Sequence, residues 1–166
     1  MRVSNSHGAP ARILIADDHE VMRLGIRNLL ESRPEWEICA EACNGQEAID
    51  KARISHPDVI VLDITMPVMN GLEAANFLRN AQPATPIILF SLHLSEELVG
   101  SFTNSGIRGA VCKNDAARDL VDAVATVLNG GTFFPGEKSQ RTNLASVTNN
   151  RVPIRRRNSA SALPNA

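Results

Sequence analysis

No stretch of eighteen consecutive apolar residues occurs in the 166-residue sequence, so it offers no segment with the length and hydropathy of a membrane-spanning helix. Residues 1–10 lack the apolar core of a secretory signal, and a cytoplasmic protein without a membrane partner is the expectation. Cysteine is scarce and odd in number: Cys39, Cys43 and Cys112. The one close pair has no histidines at zinc-site spacing, so small, partly buried thiols on strand edges are expected ahead of a redox role. Strong net charge is lacking as well, but the value of -1 hides an asymmetry. Residues 1–135 carry about 11 basic and 17 acidic side chains, whereas residues 136–166 carry about 6 and 1. What is present is core material: 43% of residues are hydrophobic and 21% charged, a balance that suits one globular domain.

Short apolar runs alternate with segments of helical spacing. Ile13, Leu14 and Ile15 form a run too short for a helix and too apolar for a surface, a buried strand over residues 12–16 that ends at Asp17 and Asp18. Met22, Ile26, Leu29 and Leu30 then recur at helical spacing over 19–32, and Pro34 closes the segment. Residues 36–42 alternate as a half-exposed strand. Asn44 with Glu47 three residues later has the form of a helix cap, and a second helix is expected over 46–55. Residues 58–62 make a third strand and deliver Asp63, after which Pro67 and Asn70-Gly71 turn the chain. Leu72, Ala75 and Leu78 mark helix three, and residues 87–90 a fourth strand ending at Ser91. Leu98, Val99 and Phe102 mark helix four, residues 109–112 a fifth strand ending at Lys113, and Leu120, Val121, Val124, Val127 and Leu128 an amphipathic fifth helix stopped by Gly130-Gly131. Five strand–helix units imply parallel strands, right-handed crossovers and an open α/β, doubly wound sheet. Residues 1–11 are expected to be a flexible lead-in, 12–135 the domain, and 136–166 a basic tail too polar to fold. Phe133 and Phe134 are expected to pack back on the sheet.

Sites in such sheets lie beyond the carboxyl ends of the strands. The groups placed there form one short set: Asp17, Asp18, Asp63, Ser91 and Lys113. Three crowded carboxylates repel and call for a cation; all-oxygen ligation favours a hard one, with Mg²⁺ the usual choice beside a phosphate. Lys113 supplies a fixed positive charge and Ser91 a hydrogen bond to an anion, which describes a phosphoryl site with Asp63 as nucleophile.

These residues, with Met66-Pro67 and Asn70-Gly71 following Asp63, resemble the receiver domain of bacterial two-component response regulators over about residues 12–134. The resemblance implies a flavodoxin-like (βα)5 sheet in the order 2-1-3-4-5. It implies that Asp63 accepts a phosphoryl group from a phosphohistidine of a sensor histidine kinase or phosphotransfer protein. It also implies that Mg²⁺ is held by Asp18, Asp63 and the backbone carbonyl of Thr65, with Asp17 acting through a metal-bound water. Ser91 and Lys113 would grip the phosphoryl group, and Lys113 would pair with Asp63 before it arrives. The Asp17-Asp18-His19 opening, the ending at Phe133-Phe134 and the absence of proline after Lys113 are most similar to the NarL-like subfamily, whose members typically continue into a helix-turn-helix domain.

Two features depart from the family pattern. The position three residues before the lysine, usually aromatic, is Ala110, so the signal is expected to leave through the backbone around Ser91, Leu92 and His93 or through helix four. The 31 residues after 135 are too few and too aperiodic for a DNA-binding domain. DNA binding is therefore not expected, although Arg151, Arg155, Arg156 and Arg157 could contact nucleic acid electrostatically. The function expected is that of a phosphoacceptor module, not an enzyme beyond self-phosphorylation and self-dephosphorylation, that alters a surface for an unidentified downstream protein or a second copy of itself. A transcriptional regulator acting through a partner or the basic tail is the alternative. An Mg²⁺-dependent phosphohydrolase is disfavoured because Thr65 stands where a general acid would be needed. His19, in the first turn of its helix, is expected to face solvent rather than ligate a softer metal.

Overall fold

The computed structural model describes residues 8–103 and 105–136. Its elements follow in strict alternation: β1 (Ala11–Ala16), α1 (Glu20–Leu30), β2 (Trp36–Ala42), α2 (Gly45–Ser55), β3 (Val59–Asp63), α3 (Gly71–Ala81), β4 (Ile87–Ser91), α4 (Glu96–Thr103), β5 (Gly109–Cys112), a single 3-10 turn (Lys113–Asp115) and α5 (Ala116–Leu128). All strands pair in parallel in the order β2-β1-β3-β4-β5, which is the flavodoxin-like arrangement the sequence led us to expect. The lead-in is shorter than expected, since Ala11 already belongs to β1, and its amide donates to Glu35 O at 2.9 Å. The expected disorder of the tail falls on residues outside the described ones, apart from Gly136.

Strand alternation divides the core in two. Leu14, Ala16, Ile60, Leu62, Ile87, Leu89 and Ala110 pack with Ala48, Ile49 and Ala52 of α2, Ala74, Ala75 and Leu78 of α3 and Phe102 of α4. Ile13, Ile15, Val59, Val61, Ile88, Phe90 and Val111 pack with Ile26 and Leu30 of α1 and Leu120, Ala123, Val124 and Val127 of α5. The central strands are buried on both faces, which is why they consist of unbroken aliphatic runs rather than alternating ones.

The helices start where local chemistry starts them. Asn44 caps α2, its side chain accepting from the Glu47 amide at 2.9 Å. Asn70, expected to form a turn with Gly71, is instead the N-cap of α3: it exchanges bonds with Glu73 in a full capping box, at 3.0 and 3.1 Å. The 3-10 turn after β5 was not foreseen, because three residues carry no periodic signal.

Candidate functional site

Register brings the predicted residues to one edge of the sheet. Ala16 lies opposite Leu62, Asp63 opposite Phe90 and Ser91 opposite Cys112. Asp17 and Asp63 are therefore level on neighbouring strands, and Lys113 stands one residue past the end of β5. Asp17, Asp63 and Lys113 are all buried. The Lys113 ammonium lies 2.6 Å from Asp17 Oδ2 and 2.8 Å from Asp63 Oδ2, so it bridges the two carboxylates and sits 5.6 Å from the centre of the Phe90 ring. The other oxygen of each carboxylate is held by the backbone. Asp63 Oδ1 accepts from the Thr65 amide at 3.1 Å, and Asp17 Oδ1 from the His19 amide at 2.8 Å.

Burial pushes the Asp63 carboxyl above the usual carboxylate value, against the pull of Lys113 and the Thr65 amide, and the neighbouring Asp17 pushes the same way. Burial acts to lower Lys113, but Asp17 and Asp63 outweigh it and hold the ammonium above the ordinary lysine value. Lys113 is thus a fixed positive charge.

Asp17, Asp18, His19 and Asp63 each offer a ligand atom, all within 4.8 Å of one another. The buried carboxylates of Asp17 and Asp63 share one ammonium, which leaves one buried negative charge unbalanced, and uncompensated buried charge is costly; Asp18 adds a second carboxylate at the exposed rim of the cluster. An acidic, mainly oxygen-lined cluster fits a hard cation. His19 faces solvent as expected, its ring mostly exposed, but it is the N-cap of α1 rather than a residue of the first turn, and its Nδ1 lies 3.0 Å from Asp18 Oδ1 and 3.2 Å from Asp17 Oδ1.

Ser91 is not drawn into this cluster. Its hydroxyl donates to His93 O at 3.1 Å and accepts from the His93 amide at 3.3 Å, so it is occupied within its own turn. Thr65 shows its amide at work, while its carbonyl role rests on the resemblance. Ala110 is fully buried in the core beneath α2, α3 and α4.

Two contributors, Arg23 and Phe90, escaped the sequence reading, and a third, Gly71, was read as part of a turn and of the motif without its packing role. Gly71 lets α3 start against the strand end: a Cβ there would lie 1.9 Å from Asp63 O, and its amide donates to Ile64 O at 2.9 Å. Asn70-Gly71 carried the signal but not its meaning. Arg23 donates to Asp17 O at 2.7 Å, and Phe90 underlies Lys113; neither is distinguishable in sequence from an ordinary helix cation or core aromatic. The three cysteines are free thiols of intermediate exposure, and no described helix is long and apolar enough to cross a membrane.

A family model for the response regulator receiver domain matches residues 13–125. The transcriptional regulatory protein LnrK of Bacillus subtilis is 35% identical over 126 residues, covering 76% of this chain and 57% of LnrK. The nitrate/nitrite response regulator protein NarL of Escherichia coli is 37% identical over 119 residues, 72% of this chain and 55% of NarL. A solved two-component response regulator of the LuxR family from an Aurantimonas species aligns with a TM-score of 0.73 at 32% identity, covering 84% of this chain and 99% of that one. The chain spans about half the length of the curated relatives it matches. Sheet order, the acidic edge and the family match agree: the chain belongs to the receiver-domain family of two-component response regulators, with NarL- and LuxR-type regulators among its relatives.

Proposed function

We propose that Asp63 is the phosphoacceptor of a two-component system. An Asp63 carboxylate oxygen attacks the phosphorus of a phosphohistidine on a sensor kinase or phosphotransfer protein. The P–N bond breaks, its electron pair returning to the imidazole nitrogen, and an acyl phosphate forms. The observation that carries this reading is the buried ammonium of Lys113 shared by Asp17 and Asp63, since it can follow the charge from carboxylate to phosphoryl oxygens without leaving its pocket.

Asp17, Asp18, Asp63 and the Thr65 carbonyl would hold Mg²⁺, which when bound supplies charge compensation for the carboxylates and the incoming phosphoryl oxygens. The Thr65 amide fixes the orientation of the nucleophile. Ser91 must exchange its bond to His93 for one to the phosphoryl group, so the turn after β4 changes when the site fills. We further propose that the protein acts in the cytoplasm and hands its signal to a downstream protein or a second copy.

Incubation with Mg²⁺ and acetyl phosphate is expected to add one phosphoryl group by intact mass, and chelation with EDTA to prevent it. An unchanged mass with Mg²⁺ present would sink the reading. No turnover of phosphomonoesters is expected, because exposed Thr65 offers no general acid. Control of transcription is the output that the description of LnrK as a transcriptional regulatory protein favours, and it is tested by comparing promoter activity in a deletion strain complemented with the wild type or with Asp63→Asn.

A further inference from the structure

We propose that the groove at the amino-terminal edge of the sheet, lined by Arg53, Arg79 and Arg108, is a docking site for an extended, carboxylate-rich segment of a partner protein. It lies at the end of the strands opposite Asp63 and is independent of the phosphoacceptor reading.

The groove forms where the chain enters the strands. Its walls are the turn from α2 to β3, the turn from α3 to β4 and the entry to β5, with the last residues of α5. Two bonds tie the first two turns together: Gln82 Nε2 donates to Ala52 O at 3.0 Å, and the Thr85 hydroxyl to Pro57 O at 3.4 Å. Pro57, Pro83 and Pro86 stiffen the same turns. A groove fixed in this way needs little ordering when it is filled.

Its charge is out of keeping with the rest of the domain. Residues 1–135 carry about 17 acidic side chains against about 11 basic ones, and Arg12, Arg23, Arg27, Arg33 and Arg118 each pair with a carboxylate. Among the described residues, the arginines without a carboxylate partner are Arg53, Arg79 and Arg108, and all of them line this groove. Asp58 is the one carboxylate of the lining, and its Oδ2 already accepts from the Arg12 amide at 2.9 Å. Arg108 donates to Gly130 O at 2.6 Å and Arg79 to Asn76 Oδ1 at 3.4 Å, which leaves most of each guanidinium fork open. Arg53 and Arg79 also stand in the last turns of α2 and α3, where a cation offsets the negative end of a helix. That role uses their charge and leaves their N–H groups for a ligand.

Shape and chemistry select that ligand. Guanidinium and carboxylate meet in paired, parallel N–H···O bonds, so arginines on separate elements call for several carboxylates along one segment. A volume of about 1460 Å³ exceeds the roughly 300–1,000 Å³ of a small-molecule site. No Phe, Tyr or Trp lines the groove among the described residues, so a nucleobase finds no aromatic ring to stack on. Ala81, Pro83, Ala84 and Pro86 instead give a wall of small side chains along which an extended backbone can lie.

The test is titration of the full chain with hexaglutamate, read by amide chemical shifts and by the anisotropy of a fluorescein-labelled copy of the peptide. Shifts are expected at residues 53–58, 79–86 and 106–108, with affinity that falls as salt is added. Arg53→Gln and Arg79→Gln in one chain are expected to weaken binding by about fivefold or more, as two exposed ion pairs imply, whereas Arg118→Gln, at the other edge of the sheet, leaves it unchanged. Absence of binding below about 1 mM, shifts centred on another face or on the basic residues 136–166, or an equal loss in Arg118→Gln overturns the proposal. Displacement of the peptide by an equal concentration of ATP overturns the choice of a carboxylate ligand and the proposal with it. The shift map of the wild type decides the outcome even where the paired variant fails to fold.

Discussion

Asp63 is a carboxylate held where a carboxylate is unfavourable. Burial raises its pKa above the unfolded value of 3.8, so the folded state binds its proton more tightly than the unfolded chain does. A raised acid contributes stability that is fully present below the unfolded pKa and is lost as pH rises through the folded one. Near neutral pH the charged form therefore opposes folding. Asp63→Asn is expected to stabilise the protein by on the order of 1 kcal/mol near neutral pH without Mg²⁺, with Lys113 keeping Asp17 as partner. The gain should fade as pH drops toward 3.8; urea denaturation across that range checks it. A destabilised variant at neutral pH would mean that the bond to Lys113 outweighs desolvation. These residues were legible in the sequence because each ends an apolar run. The hydroxyl orientation of Ser91 was not, because two bonds to His93 inside one turn leave no trace in residue spacing.

At the scale of elements, the sequence displayed strands and helices through their apolar periods, and the junctions through Asn44 and Asn70. What it hid were contacts set by tertiary approach. Gly71 is such a case. Its missing Cβ would meet Asp63 O, Asp63 C and Ile64 Cα, at 1.9, 2.8 and 2.9 Å, all backbone atoms that cannot swing aside. Gly71→Ala should destabilise the domain by about 2 kcal/mol and, because the backbone of Asp63 must shift, slow the proposed phosphoryl uptake by about 10²-fold. Denaturation and mass-monitored phosphorylation of the same sample separate the two effects. The start of α2 carries its own pH signature. The thiol of Cys43, then Lys51 and the Cys43 amide, hold the Glu47 carboxyl down at about 2, below its ordinary 4.5. A depressed acid contributes stability that is present above the unfolded value and lost as pH falls through the folded one. Glu47→Gln should cost under about 1 kcal/mol near neutral pH, since the group is exposed to solvent screening. The difference should close between pH 4.5 and about 2, measurable by thermal melts.

Across the whole molecule, two apolar cores, one on each face of the sheet, hold a charged edge in register. The strand order makes β1 and β3 neighbours, and that adjacency turns two acids 46 positions apart in the sequence, Asp17 and Asp63, into one site. Parallel order was readable from the alternation of elements, but adjacency came only from the family resemblance, because the spacing of runs does not say which way the first crossover turns. The same holds for the last residues. Phe133 and Phe134 were expected to pack on the sheet, yet their division between the two cores depends on a hydrogen-bond register invisible in sequence. The central claim is that this edge exists to phosphorylate one residue. Borohydride reduction converts an acyl-phosphorylated aspartate to homoserine, which tandem mass spectrometry locates. After treatment with acetyl phosphate and Mg²⁺, homoserine is predicted at position 63 and at neither 17 nor 18. Homoserine at either of those positions, or at none, would contradict the account.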